Sequence, residues 1–118
     1  MINMFYENSN RWWYKLVDSI SGASAKVTEL PGCSNIGIIH ESQVPPDKRS
    51  EGHGSRVHKE RLDFLKENGK VEYVLCTVNR ANYHQLAIVR KNNWKELDRM
   101  IINVYGEEHT IIIFGKKL

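Results

Sequence analysis

Val44-Pro45-Pro46-Asp47-Lys48-Arg49-Ser50-Glu51-Gly52-His53-Gly54 is the stretch that decides how this chain is read. It follows an apolar, β-branched run and precedes an amphipathic one, so it joins the end of a strand to the start of a helix. At such a junction unpaired backbone N–H groups and the positive end of the helix dipole converge on an anion. Gly52 and Gly54 let the backbone approach a phosphate with no Cβ in the way. Arg49 adds a permanent charge with a planar donor fork. Two glycines alone also fit a tight connection whose charges are merely solvated. The stretch is not a P-loop, which ends Gly-Lys-Ser/Thr, because Gly54 is followed by Ser55-Arg56. It is not a dinucleotide fingerprint either, since the first of the three glycines that motif needs is missing.

Working outward, residues 12–20 are rich in aromatic and β-branched types and read as a strand, with 21–24 as a turn and 25–30 as the returning strand. Residues 35–44 form a third strand, closed by Pro45-Pro46. A helix is expected over 54–68. Val57, Leu62, Phe64 and Leu65 share one arc of it, while Arg56, Lys59, Glu60, Asp63, Lys66 and Glu67 occupy the other. Gly69 is its left-handed stop. His58 and Arg61 intrude on the apolar arc and are expected to be half-buried, with local partners. Within 71–78, Tyr73-Val74-Leu75-Cys76 is continuously apolar and reads as a strand covered on both faces. Strand, helix and strand in succession make a right-handed βαβ crossover the natural topology. A second helix follows over 82–92, and strands at 97–105 and 110–114 flank Gly106-Glu107-Glu108 as a hairpin. The expected fold class is therefore α/β (α+β): one domain over residues 1–118, with a mixed, mostly antiparallel sheet and a central parallel βαβ crossover.

Composition bounds the function classes. The 118 residues carry 17 Lys+Arg against 14 Asp+Glu, a net charge of +3, and 41% are hydrophobic. That is enough for one core and argues against wholesale disorder. A charge of +3 is no dense basic footprint, so nucleic acid is a weak candidate partner. No apolar run approaches the length of a membrane span, and the first residues lack the basic and apolar regions of a secretory signal. Cys33 and Cys76 form no Cys-x-x-Cys pair, and Cys76 reads as a small buried hydrophobe. His53, His58, His84 and His109 show no ligand spacing, so no metal is expected. A cytoplasmic location, with no membrane, is the corresponding expectation.

Arg49-Ser50-Glu51-Gly52-His53-Gly54 matches in full Gln/Arg-x-x-Gly-x-Gly/Ala, the acyl-CoA loop of the Gcn5-related N-acetyltransferase (GNAT) family. Val44, Pro46 and Arg49 meet the upstream pattern Val-x-Pro-x-x-Arg. Asn82 stands where the family opens its next helix with Asn, and Ala87 sits five residues on. Val89-Arg90-Lys91-Asn92-Asn93-Trp94 occupies the place of Tyr-x-Lys-x-Gly-Phe: Lys91 matches, Trp94 replaces Phe and Asn93 replaces Gly. Asn is the next best residue for a left-handed helix end. From residue 35 onward the chain thus resembles the GNAT family.

That resemblance implies a GNAT-like fold whose splayed strands form an acyl-CoA cleft. It implies acetyl-CoA as acyl donor and transfer to a primary amine, on a protein or another large acceptor. By position, the amides of Arg49, Ser50, Glu51, Gly52, His53 and Gly54 would hold the pyrophosphate. Ser42, Gln43 and Val44 would pair with the pantetheine arm, in the gap where the strands ending near Val44 and Val78 part. A backbone amide near Ser42 to Val44 would stabilise the oxyanion. Asn82 and Lys91 complete the cofactor side. His40, four residues before Val44, stands where a member of the family carries a strand histidine associated with proton removal, a role that suits an imidazole because the unperturbed group titrates near working pH. It reads equally well as a half-buried strand residue with a satisfied hydrogen bond. Glu41 is the next candidate base, although alternation turns it to the other face unless a bulge intervenes.

The family's acid, the Tyr of Tyr-x-Lys, is replaced by Val89, which donates nothing. Tyr83 and Tyr105 are the substitute phenols, or packing residues with one polar tip. The family also commonly spends a strand and two helices on walling the acceptor, whereas about eleven residues precede Trp12 here. The expectation is an open acceptor site, with Trp12, Trp13 and Tyr14 as possible lining. It would suit a macromolecular amine or be completed by a second copy, and the strand at 110–114 is a candidate for pairing in a homodimer. Two other functions compete with acetyl transfer. One is a module that keeps the fold and binds acyl-CoA or a protein without chemistry. The other is a nucleic-acid binder.

Overall fold

The computed structural model describes the backbone of residues 4–7, 14–68 and 70–118; the side chains of 4–7, 14, 15, 41–43 and 68 are not described. Trp12, Trp13 and Gly69 lie outside the described residues, and the expectations placed on them stay there. In chain order the elements are β1 (Met4–Glu7), β2 (Tyr14–Asp18), β3 (Ser24–Leu30), β4 (Cys33–Gln43), a 3-10 turn (Pro46–Lys48), α1 (His53–Asn68), β5 (Tyr73–Asn79), α2 (Tyr83–Lys91), β6 (Lys95–Val104) and β7 (Glu107–Lys117). The strands form one seven-stranded sheet in the order β1-β2-β3-β4-β5-β7-β6. Among the described residues only β4 and β5 run parallel, joined by α1, and every other pair is antiparallel. The mixed sheet with one central βαβ unit is the expected one. Strand β1 is an addition, because nothing before residue 12 reads as an element.

Both helices cover the same face of the sheet. Leu62 and Leu65 of α1 and Leu86 and Val89 of α2 join Val27, Ile39, Val74, Cys76, Val78, Ile112 and Phe114 in one core cluster. The two helices are tied where Trp94 Nε1 donates to His58 Nε2 at 3.1 Å. His58 and Arg61 are thus not half-buried: they are 1% and 0% exposed, and they lie against each other locally, Arg61 Nη2 3.3 Å from His58 Nδ1. Each also has a partner from elsewhere in the fold, Trp94 for His58 and the His40 carbonyl for Arg61. The centre of the apolar arc faces the sheet directly, and a polar head there must find its bonds inside.

Strand β5 also departs from expectation. Val74, Cys76 and Val78 are buried under the helices, but Tyr73 and Leu75 are half-buried and Thr77 is exposed. Among the described residues no helix covers that second face. The continuous apolar run instead marks a strand flanked on both edges, by β4 and β7.

The hairpin turns on two residues, Tyr105 and Gly106, at φ 52° and 80°. A pair of positive φ values is the type I′ geometry whose twist suits a tight hairpin, so Glu107 and Glu108 belong to β7 rather than to the loop. Strand β7 pairs with β5 on one side and β6 on the other. The idea that 110–114 pairs across a dimer therefore fails, since its backbone is already used. Helix α2 closes as its sequence implies. Asn93 takes φ 61°, the Trp94 N–H bonds the Val89 carbonyl at 3.0 Å, and the Asn93 N–H bonds the Arg90 carbonyl at 3.2 Å. This is a Schellman end with Asn in the left-handed position.

Candidate functional site

Strands β4 and β5 hold together over three partner pairs, Ile36↔Tyr73, Gly37↔Val74 and Ile38↔Leu75. Beyond them β4 runs on to Gln43 and β5 to Asn79 without pairing to each other. The cause lies in their outer neighbours. Strand β5 follows β7 in unbroken register from Tyr73↔Lys117 to Asn79↔Ile111. Strand β4 does not follow β3 so evenly: Lys26 faces His40 but Ser24 faces Gln43, so β4 carries an extra residue. A bulge of this kind bends its strand. One strand bends while the other keeps its course, and a wedge opens between them.

Ile38, Ile39 and His40 of β4, Cys76 and Thr77 of β5, and Asn82 and Gln85 at the start of α2 line this wedge, a cavity of ≈ 410 Å³. A second cavity of ≈ 600 Å³ is bounded by Val44, the loop from Pro45 to Gly54, Gly22 of the β2–β3 turn, and His84. Both volumes are in the range of small-molecule sites. The β2–β3 turn is held by Asp18. Ser21 Oγ donates to its Oδ2 at 2.5 Å and the Ile20 N–H to its Oδ1 at 3.2 Å. These bonds, the Ser21 hydroxyl foremost, keep the Asp18 carboxyl below the usual carboxylate range.

The loop has the shape its glycines suggest. Ser50 and Gly52 sit at φ 66° and 80°, and left-handed residues alternating with ordinary ones turn successive N–H groups into an anion-binding concavity. The first intrahelical bond of α1 runs from the Arg56 N–H to the Gly52 carbonyl at 3.2 Å. The amides of His53, Gly54 and Ser55 therefore precede the helical ladder. The two glycines do different things. Gly52 supplies the left-handed backbone with open space around it, whereas a Cβ at Gly54 would meet Val44 Cγ2 at 3.7 Å and His84 Nε2 at 3.8 Å. Gly54 thus marks where α1 passes the start of α2.

Arg49 Nε donates to the Val44 carbonyl at 3.3 Å, which lays its guanidinium along the loop. His53 Nε2 lies 2.8 Å from Glu51 Oε2, and Arg56 donates to His53 Nδ1. With Nδ1 accepting, the ring proton sits on Nε2 and goes to Glu51, so the Glu51 carboxylate is engaged by His53.

His40 lines the wedge, and its Nε2 pairs with Thr28 Oγ1 at 2.5 Å. In the tautomer with Nε2–H donating to Thr28, the basic lone pair is on Nδ1. Glu41, Ser42 and Gln43 occupy the bulge and strand end by their backbone; their side chains lie outside the described residues. Val44 packs on Ala23, Ala25 and Val57. Asn82 caps α2, its Oδ1 accepting from the Gln85 N–H at 3.2 Å, and also lines the wedge.

Three expected residues are not gathered here. Tyr83 is 79% exposed and lines neither cavity, and Tyr105 is fully exposed in the hairpin turn. Lys91 is exposed in the last turn of α2, at the end away from the wedge, where its charge complements the helix dipole. Val89 is 0% exposed in the core. Conversely, His84 and Gln85 line the two cavities and Thr28 holds His40 without having been anticipated. Thr28 looks like any strand threonine until β3 is set in register with β4. His84 and Gln85 follow Asn82 into the first helical turn, so the cap was their signal.

Comparison with solved structures agrees with this geometry. A ribosomal-protein-alanine N-acetyltransferase from Brucella melitensis superposes with a TM-score of 0.76 at 18% identity, over 89% of this chain and 68% of that one. A GNAT-family acetyltransferase from Streptococcus pneumoniae gives 0.78 at 15% identity, over 89% and 67%. The yncA protein of Salmonella typhimurium, solved with its cofactor acetyl-CoA, gives 0.76 at 13% identity, over 89% and 64%. No protein-family model and no curated protein sequence matches the chain. The chain has the fold of the GNAT acetyltransferases. Among the described residues no helix is long and apolar enough to cross a membrane.

Proposed function

We propose that this protein is an acetyl-CoA-dependent N-acetyltransferase acting on a primary amine. The observation that carries the reading is the parting of β4 from β5 after Ile38↔Leu75, with the left-handed loop at Ser50 and Gly52 between the end of β4 and α1. The donor set fits a CoA pyrophosphate: the leading amides of α1 and the guanidinium of Arg49. Acetyl-CoA, as second substrate, supplies the thioester. The chain's own residues then have three tasks. The loop and Arg49 hold the phosphates. An amide near Ser42 to Val44 receives the charge that develops on the thioester oxygen. His40 Nδ1 accepts a proton from the acceptor amine as its nitrogen forms the new amide bond, while Thr28 fixes the ring through Nε2. The C–S bond breaks, and the thiolate takes its proton from water. Glu41, whose backbone lies at the bulge, remains a second candidate base by its place in the sequence. A protein acceptor is the favoured class. Among the described residues no helix covers the sheet face beside the wedge, which leaves room for a large partner, and the Brucella melitensis neighbour bears the name of a ribosomal-protein acetyltransferase.

A second reading, a module that binds acyl-CoA without transferring the acyl group, draws on one observation. Among the described residues neither cavity is lined by a phenol, and the place of the family's Tyr is the buried Val89. Calorimetric titration with acetyl-CoA, followed by peptide acetylation, separates the two. The enzyme reading expects binding weakened at least tenfold in Arg49→Ala, the loss of about one charge-assisted hydrogen bond. It also expects transfer lost in His40→Gln with binding kept. Absence of binding by the parent protein sinks both readings. Binding without transfer to any amine leaves the module.

A further inference from the structure

Arg61 is the most buried polar group in the fold and has no task in the reaction just described. It is 0% exposed and lies mid-way along α1. Its Nη1 donates to the His40 carbonyl at 2.8 Å and reaches the Lys26 carbonyl at 3.5 Å. These carbonyls belong to residues that face each other across β3 and β4, at the last regular pair before the bulge. A bulge interrupts the ladder and leaves backbone groups without strand partners. A carbonyl turned into the core at such a point must find another donor. A guanidinium reaching up from the helix supplies several donors in one rigid plane. Keeping a charge in the core is costly, and apolar residues often replace buried charges without loss. What an apolar residue could not do at this place is bind the two carbonyls.

We infer that Arg61 is a positioning residue for the acyl-CoA cleft: it pins the β4 bulge from below and so holds the strand end, residues 41–44, away from β5. This rests on the functional reading above. The chain of contact is short: Arg61 binds the His40 carbonyl, His40 lines the wedge, and the next residues carry the amides assigned to the pantetheine and the oxyanion. Without the pin, β4 can regularise its register against β3 or close toward β5, and either change narrows the wedge.

The test compares Arg61→Met, which keeps the volume, with Arg61→Lys, which keeps a donor, and with Val71→Ala. Val71 is a 5% exposed core residue outside both cavities, so the last variant reports loss of stability alone. Arg61→Met is expected to raise the acetyl-CoA dissociation constant about tenfold, as for one lost hydrogen bond. Amide hydrogen exchange should quicken in residues 40–44, and Arg61→Lys should recover most of both. Val71→Ala should lower the melting temperature and change neither. The inference is overturned by parental affinity together with parental exchange in Arg61→Met, or by Val71→Ala weakening binding equally. If Arg61→Met does not fold, Arg61→Lys carries the test together with Arg61→Gln. Parental affinity in both then overturns the inference. Failure of the parent protein to bind acetyl-CoA rejects the functional reading instead. The pin is then judged on exchange alone, where unchanged rates at 40–44 reject it.

Discussion

Lowering the pH should destabilise this protein through His58, and the size of the effect follows from its surroundings. Burial pushes the ring's pKa from 6.5 down to about 4, with the positive charges of Arg61 and Lys116 adding to the effect. The geometry explains why no proton is welcome. Trp94 Nε1 lies 3.1 Å from Nε2 and Arg61 Nη2 lies 3.3 Å from Nδ1. Both neighbours are obligate donors, so a doubly protonated ring would find no acceptor on either side. In the unfolded chain the ring titrates normally. Between about pH 6.5 and 4 the unfolded state therefore binds a proton that the folded state refuses, and stability falls as pH falls. At about 1.4 kcal/mol per pH unit the whole gap is worth about 3 kcal/mol, of which about 2 kcal/mol is lost on going from pH 7.5 to 5. Urea unfolding at those two pH values measures it. The quantity to read is the difference from His58→Gln, whose amide oxygen still accepts from Trp94 but does not titrate, so that the contributions of all other groups cancel. The parent should lose about 2 kcal/mol more than the variant over this interval. Equal losses in the two proteins would refute the account of His58.

The two loop glycines should respond oppositely to alanine. Gly52→Ala forces a Cβ into φ +80° and should cost about 1–2 kcal/mol, read as a lower melting temperature and weaker acetyl-CoA binding. Gly54→Ala meets only ordinary contacts within a helix and should hold or raise the melting temperature. A shared response would show that the loop does not have this backbone. Asn82→Ala should cost about 1 kcal/mol through the lost cap, while Asn82→Asp retains it. Thermal denaturation decides, and an unchanged Asn82→Ala would remove Asn82 as the cap.

How much of this was legible in the sequence depended on whether a residue's job was local. The loop at 44–54 could be read because left-handed turns and helix starts are written by the residues that form them. Asn82 as a cap and Asn93 as a left-handed end are local in the same sense. The tight turn at Tyr105-Gly106 was local too, but a non-glycine residue at positive φ disguised it. What could not be read is what registers create. The wedge exists because β4 carries one more residue than β3 across 40–43 while β5 and β7 stay aligned, and no residue in β4 announces this. Thr28 became the partner of His40, and Tyr83 stayed out in solvent, for reasons set by pairing and helix phase rather than by residue type. Arg61 shows the limit most plainly. A basic residue on an apolar arc was visible as an anomaly, and the economical reading sent it halfway to solvent. The fold instead drew it fully inside, because the bulge that opens the wedge turns a backbone carbonyl inward and only a long donor on α1 can reach it. The feature most difficult to read from the sequence is thus bound to the one that shapes the site.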